Sequence, residues 1–268
     1  MIQHNNDVKK LKIITQNCFY SKRIKQVCNL FKANPSDIYC LQEITGNRAA
    51  ERIKSDCHLD YIISKSINLR LSVDFHNAIF TNLPLIDYGE LDYSKKSRKW
   101  IAPSAGRVLW SIVKIGDKDI KIYNCHFSIK DQGMLERQGI LLKIIKDADE
   151  FGGPVIICGD MNTAIPCIKK HRRIIRLWNR FPKPDKKILG SFADRNEKHL
   201  FAETAHKCGF KEITNLEENT WCIPFIKKEA FGLKLDWVLY KGFDKALYKL
   251  GPWIGDHRAI IGELIISN

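Results

Sequence analysis

Short runs of β-branched and aromatic residues recur along the whole chain, and most of them end at or near a polar side chain. Runs of this length and composition are typical of β-strands, and their nearly continuous apolar character predicts strands that are covered on both faces. The runs are LKIITQN (11–17), DIYCLQE (37–43), NAIFTN (77–82), VLWSIVKI (108–115), IKIYNCHF (120–127), PVIICGDMN (154–162), KLDWVLY (234–240) and AIIGELII (259–266). No internal repeat and no linker rich in Pro, Gly or Ser separates them, so we expect residues 1–268 to form one domain.

Helical patterns lie between some of these runs. Apolar residues recur at helical spacing over residues 22–33 and 134–149. A third candidate helix, at 196–208, precedes a Gly-Phe pair that is typical of a helix end. Strands outnumber helices and are spread over the whole chain. The fold class predicted is therefore α/β, with sheets enclosed by helices.

The cysteines and the first residues bear on location. The nine cysteines include no CxxC pair, so the sequence indicates neither a zinc knuckle nor a thioredoxin-like redox pair. Cys40, Cys125 and Cys158 lie in apolar runs, where a free thiol behaves as a small buried hydrophobe, and a reducing compartment is the simpler interpretation. The first ten residues hold no signal-peptide core, and no run approaches the roughly 20 apolar residues of a membrane span. We expect a cytoplasmic monomer, with non-classical secretion left open.

The net charge is +14, from 44 Lys and Arg against 30 Asp and Glu. This surplus favours polyanionic partners such as nucleic acid, an anionic membrane surface or phosphorylated small molecules. A general bias toward Lys, Ile and Asn explains the charge equally well without any ligand.

A set of polar residues stands at the ends of the predicted strands. One such residue taken alone is usually a turn former or a helix cap. Side chains at several strand ends, however, meet at one rim of a sheet and are held there by rigid elements. The set comprises Asn17, Glu43, His126, Asp160, Asn162, Asp236, Asp256 and His257.

The chemistry of this set is consistent. Oxygen ligands from Asp, Glu and Asn suit Mg²⁺ or Mn²⁺. Histidines beside carboxylates supply hydrogen-bond donors for phosphate and an acid or base near neutral pH. The set therefore predicts metal-assisted attack of water on a phosphoester.

The order and spacing of these motifs resemble those of the endonuclease/exonuclease/phosphatase superfamily, which includes deoxyribonuclease I. The resemblance covers nearly the whole chain. Its anchors are TQN (15–17), LQE (41–43), NAIFTNLP (77–84), NCHFS (124–128), GDMNT (159–163), LDWVLY (235–240) and GDHRAI (255–260). It implies a four-layered α/β sandwich, in which two mixed sheets pack face to face with helices outside and the site lies at one rim.

The resemblance also implies roles for the metal-binding and water-activating residues. Glu43 would be the principal metal ligand, with Asn17 and Asp256 completing the shell. Asp160 would orient and deprotonate the attacking water, and Asn162 beside it would hold water or phosphate.

Three further roles concern the phosphate. His257 would contact the scissile phosphate, and Asp236 would fix the tautomer and orientation of that imidazole. His126 would stabilise the phosphate or protonate the leaving oxygen.

Departures from the pattern narrow the subfamily. AP endonucleases of this superfamily usually carry a WN-x-N/D-G type motif at the first anchor and a tyrosine at the position of His126. This chain has QNCFY and a histidine there, which argues against a typical AP endonuclease. The segment TWCIPF (220–225) looks more like the phosphatase and phosphodiesterase branches.

A basic segment follows the GDMNT motif. Residues 169–187 hold nine Lys or Arg and one Asp within a predicted insert at about 165–200. A basic amphipathic helix here would lie on nucleic acid or on an anionic membrane surface, or it would simply pack on the sandwich. Candidate phosphate contacts are Arg172, Arg173 and Arg176 of this segment and, outside it, Arg107. Arg107 would equally well be a cation on an edge strand.

The sequence thus favours a metal-dependent phosphodiesterase or nuclease. A phospholipid or phosphoinositide hydrolase of the same superfamily, similar to the sphingomyelinases or 5-phosphatases, stays open as an alternative. A second alternative is an inactive binding module.

Overall fold

Two mixed β-sheets form the centre of the protein. The computed structural model describes residues 9–65, 67–68, 74–93, 107–127, 133–163, 197–222 and 232–267. The first sheet contains β1 (Lys9–Asn17), β2 (Ile38–Ile44), β3 (Asp60–Ile63), β4 (Ile67–Asn68), β5 (Asp74–Thr81), β11 (Trp221–Cys222), β12 (Gly232–Leu233), β14 (Lys245–Ile254) and β15 (His257–Ile266). The second contains β6 (Leu85–Asp92), β7 (Arg107–Ile115), β8 (Lys118–His126), β9 (Val155–Asp160), β10 (Lys211–Glu212) and β13 (Asp236–Lys241).

Helices cover the outer face of each sheet. In the part of the chain that the structure describes they are α1 (Ile24–Ala33), α2 (Gly46–Cys57), α3 (Gly133–Phe151) and α4 (Glu197–Lys207). The helices at 22–33, 134–149 and 196–208 are confirmed to within three residues, and Gly209 follows α4 with a φ of +81°. Among the helices of the described residues, only α2 was not predicted from the sequence.

Three apolar layers hold these four structural layers together. Ile13, Ile38, Ile122 and Ile156 belong to the cluster between the two sheets. A second cluster joins α1 and α2 to the first sheet, and a third joins α3 and α4 to the second sheet. The predicted four-layered α/β sandwich is therefore confirmed.

Two parallel strand pairs determine where the polar strand ends lie. In the first sheet β1 pairs in parallel with β2, and in the second β8 pairs in parallel with β9. The other recorded pairings are antiparallel. The carboxyl ends of each parallel pair lie on the same edge of their sheet, which is where the sequence places its polar residues.

Part of the predicted basic insert lies outside the described residues, including 169–187 with Arg172, Arg173 and Arg176. Arg107 begins β7, where its backbone is paired with that of Asp92 on β6, but its side chain is outside the described part of the chain. In the described segments, no helix combines the length and the apolar character needed to cross a membrane.

Candidate active site

Asn17 and Glu43 lie at the carboxyl ends of the parallel strands β1 and β2. The register of β2 against β5 shifts between Leu41 and Ile44, so Glu43 leaves the regular ladder at a bulge. Glu43 also has a φ of +58°, a conformation that is unfavourable for a residue with a side chain. Bulges and strained backbone of this kind re-aim side chains at functional sites.

His126, Asp160 and Asp236 lie side by side on three neighbouring strands of the second sheet. His126 is the register partner of Asp160 across the parallel pair β8–β9. Asp236 is the register partner of Asp160 across the antiparallel pair β9–β13. This register aligns the three polar positions in one row.

Asn17 connects the two sheets. Its Nδ2 donates to Oε1 of Glu43 at 3.2 Å and to Oδ2 of Asp160 at 3.0 Å. Its Oδ1 accepts the backbone N–H of Phe19 at 3.0 Å. Nε2 of His126 lies 3.8 Å from the same oxygens of Glu43 and Asp160. The residue groups of the two sheets therefore form one site.

His257 approaches Asp160 from the first sheet and contacts Asp236 with its other nitrogen. The distance from Nδ1 to Oδ2 of Asp236 is 2.8 Å, and Nε2 lies 3.7 Å from Oδ2 of Asp160. The hydroxyl of Thr220 accepts the backbone N–H of Asp236 at 2.9 Å. A carboxylate in this position fixes the tautomer and the orientation of the imidazole.

Hydrogen bonds within the GDMN turn hold the side chain of Asp160 in place. Oδ1 of Asp160 accepts the backbone N–H of Asn162 at 3.0 Å, and Nδ2 of Asn162 donates to the carbonyl of Phe127 at 2.6 Å. Asn162 has a φ of +48°, which asparagine tolerates better than most residues. The short reach from Asp160 to Asn162 thus depends on this turn.

Burial and neighbouring charges shift the pKa values of these groups in different directions. Burial raises the pKa of Asp160 to about 8, and the charges of Asp236 and Glu43 act in the same direction against His257. Burial also raises the pKa of Glu43. Burial and the charge of His257 lower the pKa of His126 to about 4. Burial alone would lower the pKa of His257, but the surrounding carboxylates, Asp236 foremost, raise it to about 10.

Asp256 offers an oxygen that could bind a cation. Its Oδ2 accepts Nε1–H of Trp221 at 3.0 Å, whereas its Oδ1 is buried without a hydrogen-bond partner among the described atoms. Burial is the largest cause of the raised pKa of Glu43, and the charge of Asp256 raises that pKa further. The two carboxylates are therefore neighbours. A buried carboxylate oxygen with no partner is costly. The donor set of Glu43, Asp256 and Asn17 therefore fits a hard divalent cation.

A second cluster of possible ligand atoms is more closely spaced and includes a histidine. Ligand atoms of Asp160, Asp236 and His257 all lie within 4.8 Å of one another. Because Nδ1 of His257 is already bonded to Asp236 at 2.8 Å, the ring has only Nε2 left for a metal or a phosphate, and we treat this triad as a hydrogen-bonded unit.

The structure brings together all eight residues predicted at the strand ends, whereas the side chains of Arg107, Arg172, Arg173 and Arg176 are not described. Sequence reasoning missed the residues that support the site. Trp221 donates to Asp256, and Thr220 accepts the backbone N–H of Asp236. Both lie in the TWCIPF segment, and the position of that segment before LDWVLY is the sequence signal that could have revealed them. Tyr20, three residues after the first anchor, was missed as well, and its backbone N–H donates to Oε2 of Glu43 at 3.1 Å.

Asn124 is another support that the pattern did not reveal. It is fully buried in β8, accepts Nε2–H of Gln42 at 2.7 Å and donates to the carbonyls of Leu41 and Ala78 at 2.9 Å each. These bonds tie β8 of the second sheet to β2 and β5 of the first. The two halves of the site are thereby fixed relative to each other.

Comparison with known proteins gives three findings. Residues 14–257 match the model of the family described as "Endonuclease/Exonuclease/phosphatase family". A comparison with curated proteins finds no match. Similar solved structures include a truncated TDP2 from Caenorhabditis elegans, with 14% identity, a TM-score of 0.65 and coverage of 95% of this chain and 97% of that chain.

Two further solved structures have the same fold. A family protein from Bacteroides thetaiotaomicron has 14% identity and a TM-score of 0.65, with coverage of 97% of this chain and 96% of that chain. A humanized D. rerio TDP2 has 14% identity and a TM-score of 0.64, with coverage of 95% and 98% respectively. At this identity the likeness extends to the fold.

Proposed function

The chain belongs to the Endonuclease/Exonuclease/phosphatase family, and we propose that it is a metal-dependent phosphodiesterase acting on nucleic acid. Membership of this family supports hydrolysis of a phosphoester. One observation carries the proposal. Asn17 bridges Glu43 of one sheet and Asp160 of the other, within hydrogen-bond distance of both. A cation-binding carboxylate and a candidate general base are thereby held at one rim. The TDP2 neighbours and the net charge of +14 agree with a nucleic-acid-linked substrate.

In this proposal Asp160 activates the attacking water. Its pKa of about 8 makes it a stronger base than an ordinary aspartate, and a base with a pKa near the working pH is the most effective. The N–H of Asn162 and the amide of Asn17 hold one oxygen each, which fixes the direction of the carboxylate. One N–H of the Asn162 amide is bonded to the carbonyl of Phe127, and in this proposal the rest of the amide holds the water or the phosphate.

His257 and His126 act on the phosphate. His257 is cationic at neutral pH, so its Nε2–H donates to a phosphoryl oxygen and offsets the charge that develops there. Asp236 keeps the ring in this state and orientation. His126 is neutral, and its Nε2 lies 3.8 Å from both Glu43 and Asp160, where it stabilises the phosphate by a hydrogen bond. A neutral imidazole is too weak an acid to protonate the leaving oxygen, so of the two roles that the sequence suggested only the first is proposed here.

Glu43, Asp256 and Asn17 would hold Mg²⁺ or Mn²⁺. A divalent ion so held supplies Lewis-acid stabilisation of the phosphoryl oxygens. The eight-residue set holds four carboxyl groups (Glu43, Asp160, Asp236 and Asp256), and His257 is its cationic member. Even while Asp160 is protonated, the other three carboxyl groups outnumber that one cation, which favours a further cation at the site.

A substrate panel tests the function. Plasmid DNA, RNA, sphingomyelin and phosphoinositides are incubated with wild type and Asp160→Ala, in Mg²⁺ or Mn²⁺ and in EDTA. We expect nucleic acid to be cleaved only with metal, and Asp160→Ala to lower kcat/KM about 1000-fold or more. Asp60→Ala, whose side chain is 90% exposed, is the matched control and should keep its activity.

The other outcomes are informative. Cleavage that survives Asp160→Ala refutes the assigned site. Release of choline phosphate or inorganic phosphate from lipids alone identifies the phospholipid or phosphoinositide hydrolase instead. No hydrolysis of any substrate leaves a binding module.

Metal binding is tested separately by titrating Mn²⁺ into the protein in a calorimeter. Glu43→Gln removes a proposed ligand charge and should weaken Mn²⁺ binding by at least tenfold, which corresponds to about 1.4 kcal/mol. Asp236→Asn changes the Asp160–Asp236–His257 triad and should leave the affinity within a few-fold. The opposite ranking would assign the ion to that triad.

A further inference from the structure

Three aromatic rings form a small surface beside the proposed metal ligands. The ring centroids of Tyr20 and Phe75 are 4.9 Å apart, and those of Phe19 and Tyr20 are 5.7 Å apart. Phe75 is 9% exposed, whereas Tyr20 keeps 43% of its surface exposed. Phe75 therefore backs a tyrosine ring that is left open to solvent.

This aromatic surface is attached directly to the site. The backbone N–H of Tyr20 donates to Oε2 of Glu43 at 3.1 Å. A Cβ added at Gly255, the residue before Asp256, would lie 2.6 Å from Cβ of Phe19, so Phe19 packs against that turn. The turn that carries the open ring of Tyr20 thus lies next to both proposed metal-binding carboxylates.

The backbone that presents Tyr20 is unusual. Phe19, Tyr20 and Ser21 have consecutive φ values of +47°, +58° and +56°, which side-chain-bearing residues rarely adopt. The hydroxyl of Ser21 accepts the backbone N–H of Thr45 at 2.8 Å and so anchors the turn to the start of α2. Strain that surrounding contacts maintain beside a reactive centre is typical of functional positioning.

A positive charge accompanies the rings. Nζ of Lys22 lies 5.3 Å from the ring centroid of Phe19 and 5.6 Å from that of Tyr20, within cation–π range. An exposed aromatic face next to a cation is the combination that binds a base together with its phosphate in single-stranded nucleic acid. A lipid phosphodiester has no aromatic group to match it.

We propose that Tyr20 is a stacking surface for the nucleobase next to the scissile phosphate, so that the substrate is a single-stranded or locally unpaired nucleic acid. The inference rests on the proposed function for the position of that phosphate. It adds a substrate class that the eight strand-end residues do not determine, because those residues address only the phosphate and the water.

The test compares two tetranucleotides with the same phosphates, one with normal bases and one with tetrahydrofuran in place of every nucleoside. Binding is measured by calorimetry in the Asp160→Ala background, so that the substrate is not consumed. Adding Tyr20→Ala should weaken binding of the base-bearing oligonucleotide about tenfold or more. It should leave the abasic oligonucleotide within twofold. Tyr20→Phe should retain the preference, because it keeps the ring.

Tyr88→Ala is the matched control, since Tyr88 is a 58% exposed tyrosine on the edge strand β6. Equal weakening for both oligonucleotides, or no measurable preference for the base-bearing one, overturns the stacking role. Cleavage of both oligonucleotides by the wild type is followed in parallel. Base-dependent binding through Tyr20 without cleavage would refute the proposed activity and keep the stacking surface, whereas cleavage without Tyr20 dependence would do the reverse.

Discussion

The charge on His257 comes from its neighbours. Burial of the ring opposes protonation, but the bond of 2.8 Å to Asp236 and the proximity of Asp160 outweigh it and raise the pKa to about 10. The folded pKa is thus above the ordinary value of 6.5. The pair contributes its full stability below about pH 6.5 and loses it as the pH rises through about 10.

Asp236→Asn should shift the alkaline limb of the pH–rate profile. With His257 as the proton-bearing donor, kcat/KM falls as the pH rises through the pKa of that ring. The substitution removes a charge that raises this pKa, so the limb should move to lower pH and the rate at neutral pH should fall. Measurement of kcat/KM on nucleic acid from pH 6 to pH 10.5 checks this. An unchanged limb, matching that of the control Asp60→Asn, would contradict the role given to Asp236.

At the scale of the element, the pairing of β9 with β8 depends on Gly159, the next-to-last residue of β9. Its φ is +123°, and an added Cβ would overlap the backbone carbonyl oxygen of Cys125 on the parallel neighbour β8. Backbone atoms of a central strand have little freedom to move away. The glycine therefore permits the close strand contact that brings Asp160 beside His126.

Gly159→Ala should destabilise the protein by several kcal/mol, because both the positive φ and the overlap with backbone are unfavourable. Chemical unfolding followed by circular dichroism measures the free energy of unfolding. Gly139→Ala is the control, since a Cβ at Gly139 of α3 meets nothing within 4 Å and alanine favours a helix by about 1 kcal/mol. Equal stability of the two variants would show that β8 and β9 adjust to the added methyl group.

The sequence predicted the elements that are buried and missed those that are not. The long apolar runs all became central strands, within three residues of their predicted bounds. β6 and β14 are mostly exposed, and α2 buries only Ala50 and Ile53, so none of these has a strong apolar pattern. Periodic spacing of apolar residues reflects burial, and an edge strand or a surface helix buries too few residues to show it.

The same limit applies to the site. Glu43, Asp160 and His257 were predictable because they stand at strand ends within specific motifs. The contacts of Asn124 and Trp221 join residues that are distant in sequence, and they depend on how the two sheets and the last turns pack. Such contacts follow from tertiary structure, which a single sequence does not encode in any local pattern.

At the scale of the whole molecule, a buried ion pair joins the two helices on the second sheet. Arg137 of α3 donates to both carboxylate oxygens of Glu197, the first residue of α4, at 2.7 and 2.8 Å. The side chains are 1% and 2% exposed. Removal of Glu197 takes away the carboxylate that offsets the buried charge of Arg137.

Glu197→Gln should lower the free energy of unfolding by about 3–5 kcal/mol, as measured by urea denaturation. The double variant Arg137→Leu, Glu197→Leu should be less destabilised than Arg137→Leu alone, since it buries no unpaired charge. The control is Glu203→Gln on the same helix, which removes an exposed pair with Lys207 and should change stability little. A double variant as unstable as the single would attribute the cost to packing.

The net charge of +14 predicts that binding of nucleic acid depends on salt concentration. This dependence tests the basic segment by its charge alone. Each single-strand phosphate neutralised by the protein contributes about −0.7 to the slope of log K against log salt concentration. If Arg172, Arg173 and Arg176 contact the substrate backbone, changing all three to glutamine should reduce the magnitude of that slope by about 2. Titration of a single-stranded oligonucleotide at several salt concentrations measures it.

The control for this triple variant removes the same charge elsewhere. Lys25 and Lys32 of α1 and Arg52 of α2 lie exposed on the outer helical layer of the first sheet. Their change to glutamine should leave the slope nearly unaltered, because condensed counterions are released only where a cation meets a phosphate. Equal reductions in the two triple variants would mean that the charge attracts nucleic acid as a diffuse field. A loss confined to binding of anionic vesicles would assign the basic segment to a membrane surface, and the phosphodiester would then have to be sought in a lipid.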